Sequence, residues 1–190
     1  MKRVNVSAAF FLSIESRQTG YFFYRVHRAA FGSMPRLADY RAAQQALGRG
    51  VVVNRLGWEA RLDANRRAFV AQWVSGDEFA AAYGSLGNAG YVDTLLANAG
   101  LDSGAETRAS VLLKVADDPE LDRREFNRAF VLAEYFGYLQ RDANAGQDTD
   151  FTGLEHWLGK LEGHGGNYVE AEMVKAFLDS TEYRKRFGPE

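Results

Sequence analysis

The sequence predicts an all-α protein, and three observations carry that reading. Apolar residues recur at helical spacing along most of the chain; Leu154, Trp157, Leu158 and Leu161, for example, fall at i, i+3, i+4 and i+7. Glycines and prolines fall between such runs, and no proline lies inside one. The sole strand-like run, Val51-Val52-Val53, has no partner run, so it reads as an extended connector packed on helices.

In chain order, helical patterns cover residues 8–16, 19–31, 37–47, 58–74, 77–83, 88–98 and 106–116. A long aromatic helix follows over 125–141. Its buried face is drawn from Phe126, Phe130, Ala133 and Gly137 and widened by Leu132, Tyr135 and Leu139. A Trp-bearing helix over 153–163 and a closing helix over 167–188 complete the chain, the latter striped by Val169, Met173, Ala176 and Phe177. Pro35 and Pro119 stand at helix starts and Pro189 beyond the last helix. Gly32, Gly84, Gly100 and Gly188 are placed as C-terminal caps.

With 190 residues, 46% of them hydrophobic, the chain can bury a core as one domain or two small ones. A formal charge of -2 supplies no basic field, so neither nucleic acid nor an anionic membrane surface is expected as a partner. No apolar run approaches the roughly 18 residues needed to span a bilayer. The absence of cysteine removes disulfides, a thiol nucleophile and thiolate-bound metals. Met1-Lys2-Arg3 is basic, but Val4-Asn5-Val6-Ser7 breaks a signal-peptide core, so no targeting signal is read. The chain reads either as cytoplasmic or as a piece of a longer exported protein.

A weak internal echo runs through the sequence. Asp77-Glu78-Phe79 with Tyr83-Gly84 returns as Thr181-Glu182-Tyr183 with Phe187-Gly188, and Ser13-Ile14-Glu15 is a degenerate third copy. A second echo aligns the segment from Tyr24 through Pro35 and Tyr40 with that from Tyr135 to Trp157. Such units bury their apolar faces by stacking, which predicts two related helical units, 1–84 and 85–190, with a boundary within 84–104.

Several phrases carry a family resemblance: VNVSAAFFLSIE, GVVVN followed by GWE, EFNRAFVLAEYFGYLQRD, DFTGLEHWLGKL and AEMVKAFLDSTEYRKRFG. They resemble the bacterial domain of unknown function 4214, over nearly the whole chain and most strongly from residue 125. The resemblance implies a helical repeat module of exported or surface-attached multidomain proteins. It also implies a helix-loop-helix unit whose loop, between Tyr138 and Trp157, carries acidic residues. Members of that family have been likened to phycobilisome linker domains, and similar units occur beside glycosyltransferase domains. A proline commonly follows the first acidic residue of the loop; here Ala143 takes that place and the loop is longer.

That loop is the sharpest site candidate. Asp148-Thr149-Asp150-Phe151-Thr152-Gly153 matches the first half of an EF-hand loop, but the twelfth position is Gly159 rather than a bidentate glutamate. An irregular calcium site would use Asp142, Asn144, Asp148 and Asp150. The competing structural reading makes Asp150 or Thr152 the cap of the Trp-bearing helix, with Asp142 and Asn144 shaping the turn. Calcium is the one cofactor candidate.

The remaining constellations read as structural. His27, His156 and His164 lack metal spacing, and Gly163-His164-Gly165-Gly166 lacks the Lys-Ser/Thr of a P-loop and reads as a helix-joining turn. Glu134, among aromatics, could serve as an acid-base group if buried in a cleft; otherwise it points to solvent or pairs with Arg128 or Arg141. Trp58, Trp73 and Trp157 sit on apolar stripes and read as core. Arg61, Arg66, Arg67, Arg123 and Arg124 read as solvated faces. No catalytic residue is assigned. The expected function is a non-catalytic interaction or spacer module of a larger exported or surface-attached bacterial protein. Its partners would be neighbouring domains or repeats, other proteins or a surface polymer. The alternative is a carbohydrate-binding accessory domain, which asks for a solvent-facing row among Tyr138, Tyr168 and the tryptophans.

Overall fold

In the computed structural model, which describes residues 2–99 and 107–187, the chain is all-α, and no strand occurs among the described residues. The helices are α1 Lys2–Phe11, α2 Ile14–Ser16, α3 Phe22–Phe31, α4 Leu37–Leu47, α5 Trp58–Trp73 and α6 Asp77–Tyr83. They continue with α7 Asn88–Ala99, α8 Arg108–Ala116, α9 Pro119–Glu134, α10 Thr152–Gly163, α11 Met173–Asp179 and α12 Thr181–Lys185. Two π-helical turns, Arg17–Tyr21 before α3 and Tyr135–Leu139 after α9, extend their neighbours. The connector Val51-Val52-Val53 is not helical and pairs with no strand, as expected. Gly100, Gly188 and Pro189 lie outside the described residues.

Local chemistry sets the helix ends. Pro119 is the first residue of α9, and Asp118 accepts from the amides of Glu120 (2.8 Å) and Leu121 (3.2 Å), capping its free donors. Thr107 caps α8 through Ser110 N, and Ser180 caps α12 through Tyr183 N. Gly32 ends α3 in the left-handed region, at φ 65°. The closing helix expected over 167–188 is instead broken. Asn167 Oδ1 accepts from the amides of Val169 (3.1 Å) and Glu170 (3.3 Å), which holds a turn there, and Glu172 is left-handed at φ 51°. Helix α11 therefore starts only at Met173, and Val169 is exposed rather than on the apolar stripe.

The chain forms two compact units, Ile14–Arg124 (the central unit) and Met1–Ser13 with Glu125–Glu190 (the terminal unit), named for their place in the chain. This division differs from the expected 1–84 and 85–190. In the central unit α3 is the hub: α7 and α8 pack on it, burying Tyr91, Leu95 and Leu112 with Phe22 and Val26, so residues beyond 84 belong with α3. Asn98 Nδ2 donates to the carbonyls of Ala29 and Ala30 at the end of α3, both at 3.0 Å, and the Tyr83 hydroxyl also donates to Ala30 O.

An ionic network within the same unit ties α3 and α5 to the α8–α9 corner. Arg25, buried against the Tyr21 ring, reaches Asp122 and, at 3.6 Å, Asp117. Arg66, expected to be solvated, lies 3.7 Å over the Phe22 ring and donates to Asp117 at 2.7 Å. Burial pulls the Arg66 pKa down from its ordinary value. Gly20 makes a close approach possible, since a Cβ there would meet the Tyr40 hydroxyl at 2.1 Å.

The terminal unit has an aromatic core. Phe177 packs on Tyr135 (5.1 Å), Trp157 (5.8 Å) and Tyr138 (6.2 Å), and Phe11 of α1 packs edge-on to Tyr138 at 5.3 Å. Gly137 makes room for that ring: a Cβ there would lie 2.4 Å from Phe11 Cζ. The carbonyls left open by the π-helical turn are taken by side chains. Gln140 Nε2 donates to Phe136 O (2.7 Å) and Gly137 O (2.8 Å), and Arg186 donates to Tyr138 O.

Candidate functional sites

The acidic loop after the π-helical turn is organised around a cation of the chain itself. Arg141 Nε donates to Glu182 Oε1 (2.6 Å), and Nη2 reaches Asp148 Oδ2 (2.6 Å) and Glu182 Oε2 (3.1 Å). Its Nη1 donates to the carbonyls of Asp142 (3.0 Å) and Ala145 (2.6 Å). The guanidinium also lies 5.2 Å from the Tyr135 ring centroid, and the side chain is 12% exposed. It therefore neutralises an acidic side chain of the loop and holds the loop's carbonyls.

The four predicted ligands are not gathered on one point. Asp148 turns to Arg141, whereas Asp150 is exposed and its Oδ1 accepts from Thr152 N at 2.8 Å, at the start of α10. That backbone hydrogen bond holds the Asp150 pKa below the usual value, the mark of a charged helix cap. Asp142 enters through its carbonyl, Asn144 is half-buried, and Ala143 between them is buried. Among the described residues no group of three or more His, Asp or Glu side chains is placed to hold a metal ion. Gly153 serves close packing rather than an EF-hand turn, because a Cβ would meet the Tyr135 hydroxyl at 2.8 Å and Asp148 Oδ1 at 2.9 Å. Arg141 was missed in the sequence as the loop's organiser. Its only signal was a single cation directly preceding a run of acidic and amide residues.

Glu134 is completely buried, and neither carboxylate oxygen has a hydrogen-bond partner. The expected pairings fail because each arginine is engaged elsewhere: Arg128 forks onto Glu155 and Arg141 onto Glu182 and Asp148. Burial alone raises the Glu134 pKa well above 4.5. A catalytic acid needs a polar neighbour and a path for substrate. Glu134 has no hydrogen-bonding neighbour and no exposed atom surface to reach from solvent.

The histidines are dispersed in role. His156 is exposed beside Trp157, and His164 Nδ1 lies 3.9 Å from Glu170. His27 is buried in an aromatic cluster of the central unit, and its Nδ1 lies 3.0 Å from Ser33 O. The glycine turn after α10 has Gly165 and Gly166 in the left-handed region, at φ 59° and 82°, as expected for a helix-joining turn. The aromatic candidates form no open row: Tyr138 is buried, while Tyr168 and all three tryptophans are half-buried.

A concave site lies wholly within the central unit, on α3, α4, α5 and α6. The cavity holds about 630 Å³. Phe23 and His27 from α3 form its buried side, and Phe69 and Trp73 from α5 form a half-buried wall. Trp73 meets Phe31 at 5.3 Å, Phe23 at 5.8 Å and His27 at 6.0 Å. Asp39 of α4 and Glu78 of α6 line the same cavity and are exposed. The aromatic pairs at 23/27 and 69/73, one helical turn apart, were legible as stripes. That four separate helices converge on one cavity was not.

No family model, curated protein or solved structure matches this chain significantly.

Proposed function

We propose that the chain is a non-catalytic helical interaction and spacer module of a larger exported or surface-attached bacterial protein. The observation that carries this reading is the outer face of α1. Val6 and Phe10, one helical turn apart, are 74% and 73% exposed, while Ala8 is buried and Phe11 packs on Tyr138 and Phe130. An apolar pair left open on a helix that packs through Ala8 and Phe11 marks a surface for contact with another apolar surface. The partner is a neighbouring repeat of the same kind. The family resemblance supports this placement, and Glu134, the acid named in the enzymatic reading, is buried and unpartnered. In this reading the acidic loop is a structural latch: Arg141 and the Asp150 cap already perform the work assigned to calcium.

Sedimentation velocity tests the reading. The chain is expected to self-associate reversibly with rising concentration, and Phe10→Asp is expected to abolish that association while leaving the circular dichroism spectrum unchanged. A chain that stays monomeric at every concentration, or associates equally well as Phe10→Asp, overturns it.

A further inference from the structure

We propose that the cavity of the central unit binds a small organic cation, an alkylammonium group, against the rings of Phe69 and Trp73 and between the carboxylates of Asp39 and Glu78. The volume of about 630 Å³ is that of a small-molecule site rather than a packing defect. Its wall carries the rings of Phe69 and Trp73, and aromatic π-clouds attract a cation, most strongly for indole. Its charged groups have the same sign. Asp39 and Glu78 line the cavity, and no lysine or arginine does.

Neither carboxylate is ion-paired with a described residue. Each stands in the first turn of its helix, where free backbone amides tolerate a negative charge without a basic partner. Both are therefore available to a ligand.

The one basic side chain on the wall does not cancel them. His27 Nδ1 donates to Ser33 O, leaving Nε2 as an acceptor, and burial lowers its pKa, which keeps the ring neutral. Asp39 and Glu78 both act electrostatically on His27 and oppose that lowering, so their fields converge on the same site. An anion is repelled by such a cavity. A sugar could use the Gln72 amide and the Trp73 indole N–H, but as a neutral molecule it gains nothing from the two negative charges, whereas a cation does. The charge pattern and the rings select a cation with an apolar skin.

Isothermal titration of the whole chain with choline, with its uncharged carbon isostere dimethylbutanol, and with glucose tests the proposal. Choline is expected to bind saturably, and dimethylbutanol at least about tenfold more weakly, because shape is kept while charge is removed. The double variant Asp39→Asn/Glu78→Gln alters exposed side chains only, and its melting curve checks the fold. It is expected to weaken choline about tenfold or more and to leave dimethylbutanol unchanged. Equal affinity for choline and dimethylbutanol, binding of glucose alone, unaltered choline binding by the double variant, or no binding of any probe would each overturn it. None of these outcomes bears on the α1 contact face, which is read out separately by sedimentation.

Discussion

Replacing Glu134 by Gln should change how stability depends on pH, and the size of the change follows from its burial. In the folded chain the carboxyl is fully enclosed and unpartnered, so its pKa stands well above 4.5, whereas the unfolded chain returns it to the ordinary value. Below pH 4.5 both states hold the proton and the group is neutral toward folding. Above that pH the unfolded chain releases the proton while the folded chain keeps it, so the folded state loses stability as pH rises. The loss is about 1.4 kcal/mol for each pH unit and continues up to the folded-state pKa. Glutamine cannot titrate and lacks this slope. Urea denaturation of both proteins at about pH 5.5 and about pH 6.5 should therefore show the variant gaining on the wild type as pH rises, with about 1.4 kcal/mol per pH unit as the upper limit for one proton. The buried His27 titrates in both proteins and cancels in the difference. Glutamine also carries buried polar atoms, so the absolute offset is not the readout; the difference in slope is. Stabilities that run parallel between the two pH values would refute the claim that burial raises the Glu134 pKa in the folded chain.

Arg141→Met removes the cation that joins Asp148, Glu182 and two loop carbonyls, and should cost about 2 kcal/mol in urea unfolding, the partly exposed carboxylates keeping the loss below that of a fully buried pair. Thermal melts in millimolar calcium and in excess chelator should coincide, and Asp150→Asn should lower the melting temperature slightly and equally in both; a calcium-dependent rise lost in that variant would restore the metal reading. Gly20→Ala should destabilise by about 1–3 kcal/mol despite the better helix propensity of alanine, because its methyl group collides with the Tyr40 ring; a neutral or stabilising result would show that Tyr40 can move aside. Gly137→Ala should displace the Phe11 ring, seen as faster hydrogen exchange confined to α1 rather than spread through α9.

Much of the local structure was legible in the residues. The spans of α4 and α6 agree with the helical periodicity at both ends, and the spans of α5, α7 and α10 agree within one residue, because an apolar stripe and its flanking caps are written at short range. Where the reading failed, a local competitor was overlooked. The Asn167 side chain offers the amides of Val169 and Glu170 an alternative to the helix, and the 167–172 turn follows from it. The two π-helical turns have no periodicity of their own. Each carries a glycine against a ring from a distant residue, Gly20 against Tyr40 and Gly137 against Phe11.

The sequence by itself determined the helical class, the proline at the start of α9 and the glycine that ends α3, the missing membrane-spanning run and the four candidate ligands of the loop. Tertiary structure alone decided what those residues do. Whether a carboxylate binds a metal, caps a helix, pairs with an arginine or stays protonated depends on which groups stand within a few ångströms and on how much water remains. Asp148, Asp150 and Glu134 are the same chemistry in three environments. The central cavity follows the same rule: Phe23, Asp39, Trp73 and Glu78 lie far apart along the chain, and only the packing of α3, α4, α5 and α6 makes them neighbours. Periodicity reports which side of a helix is apolar, but it carries no record of which other helix that side will meet.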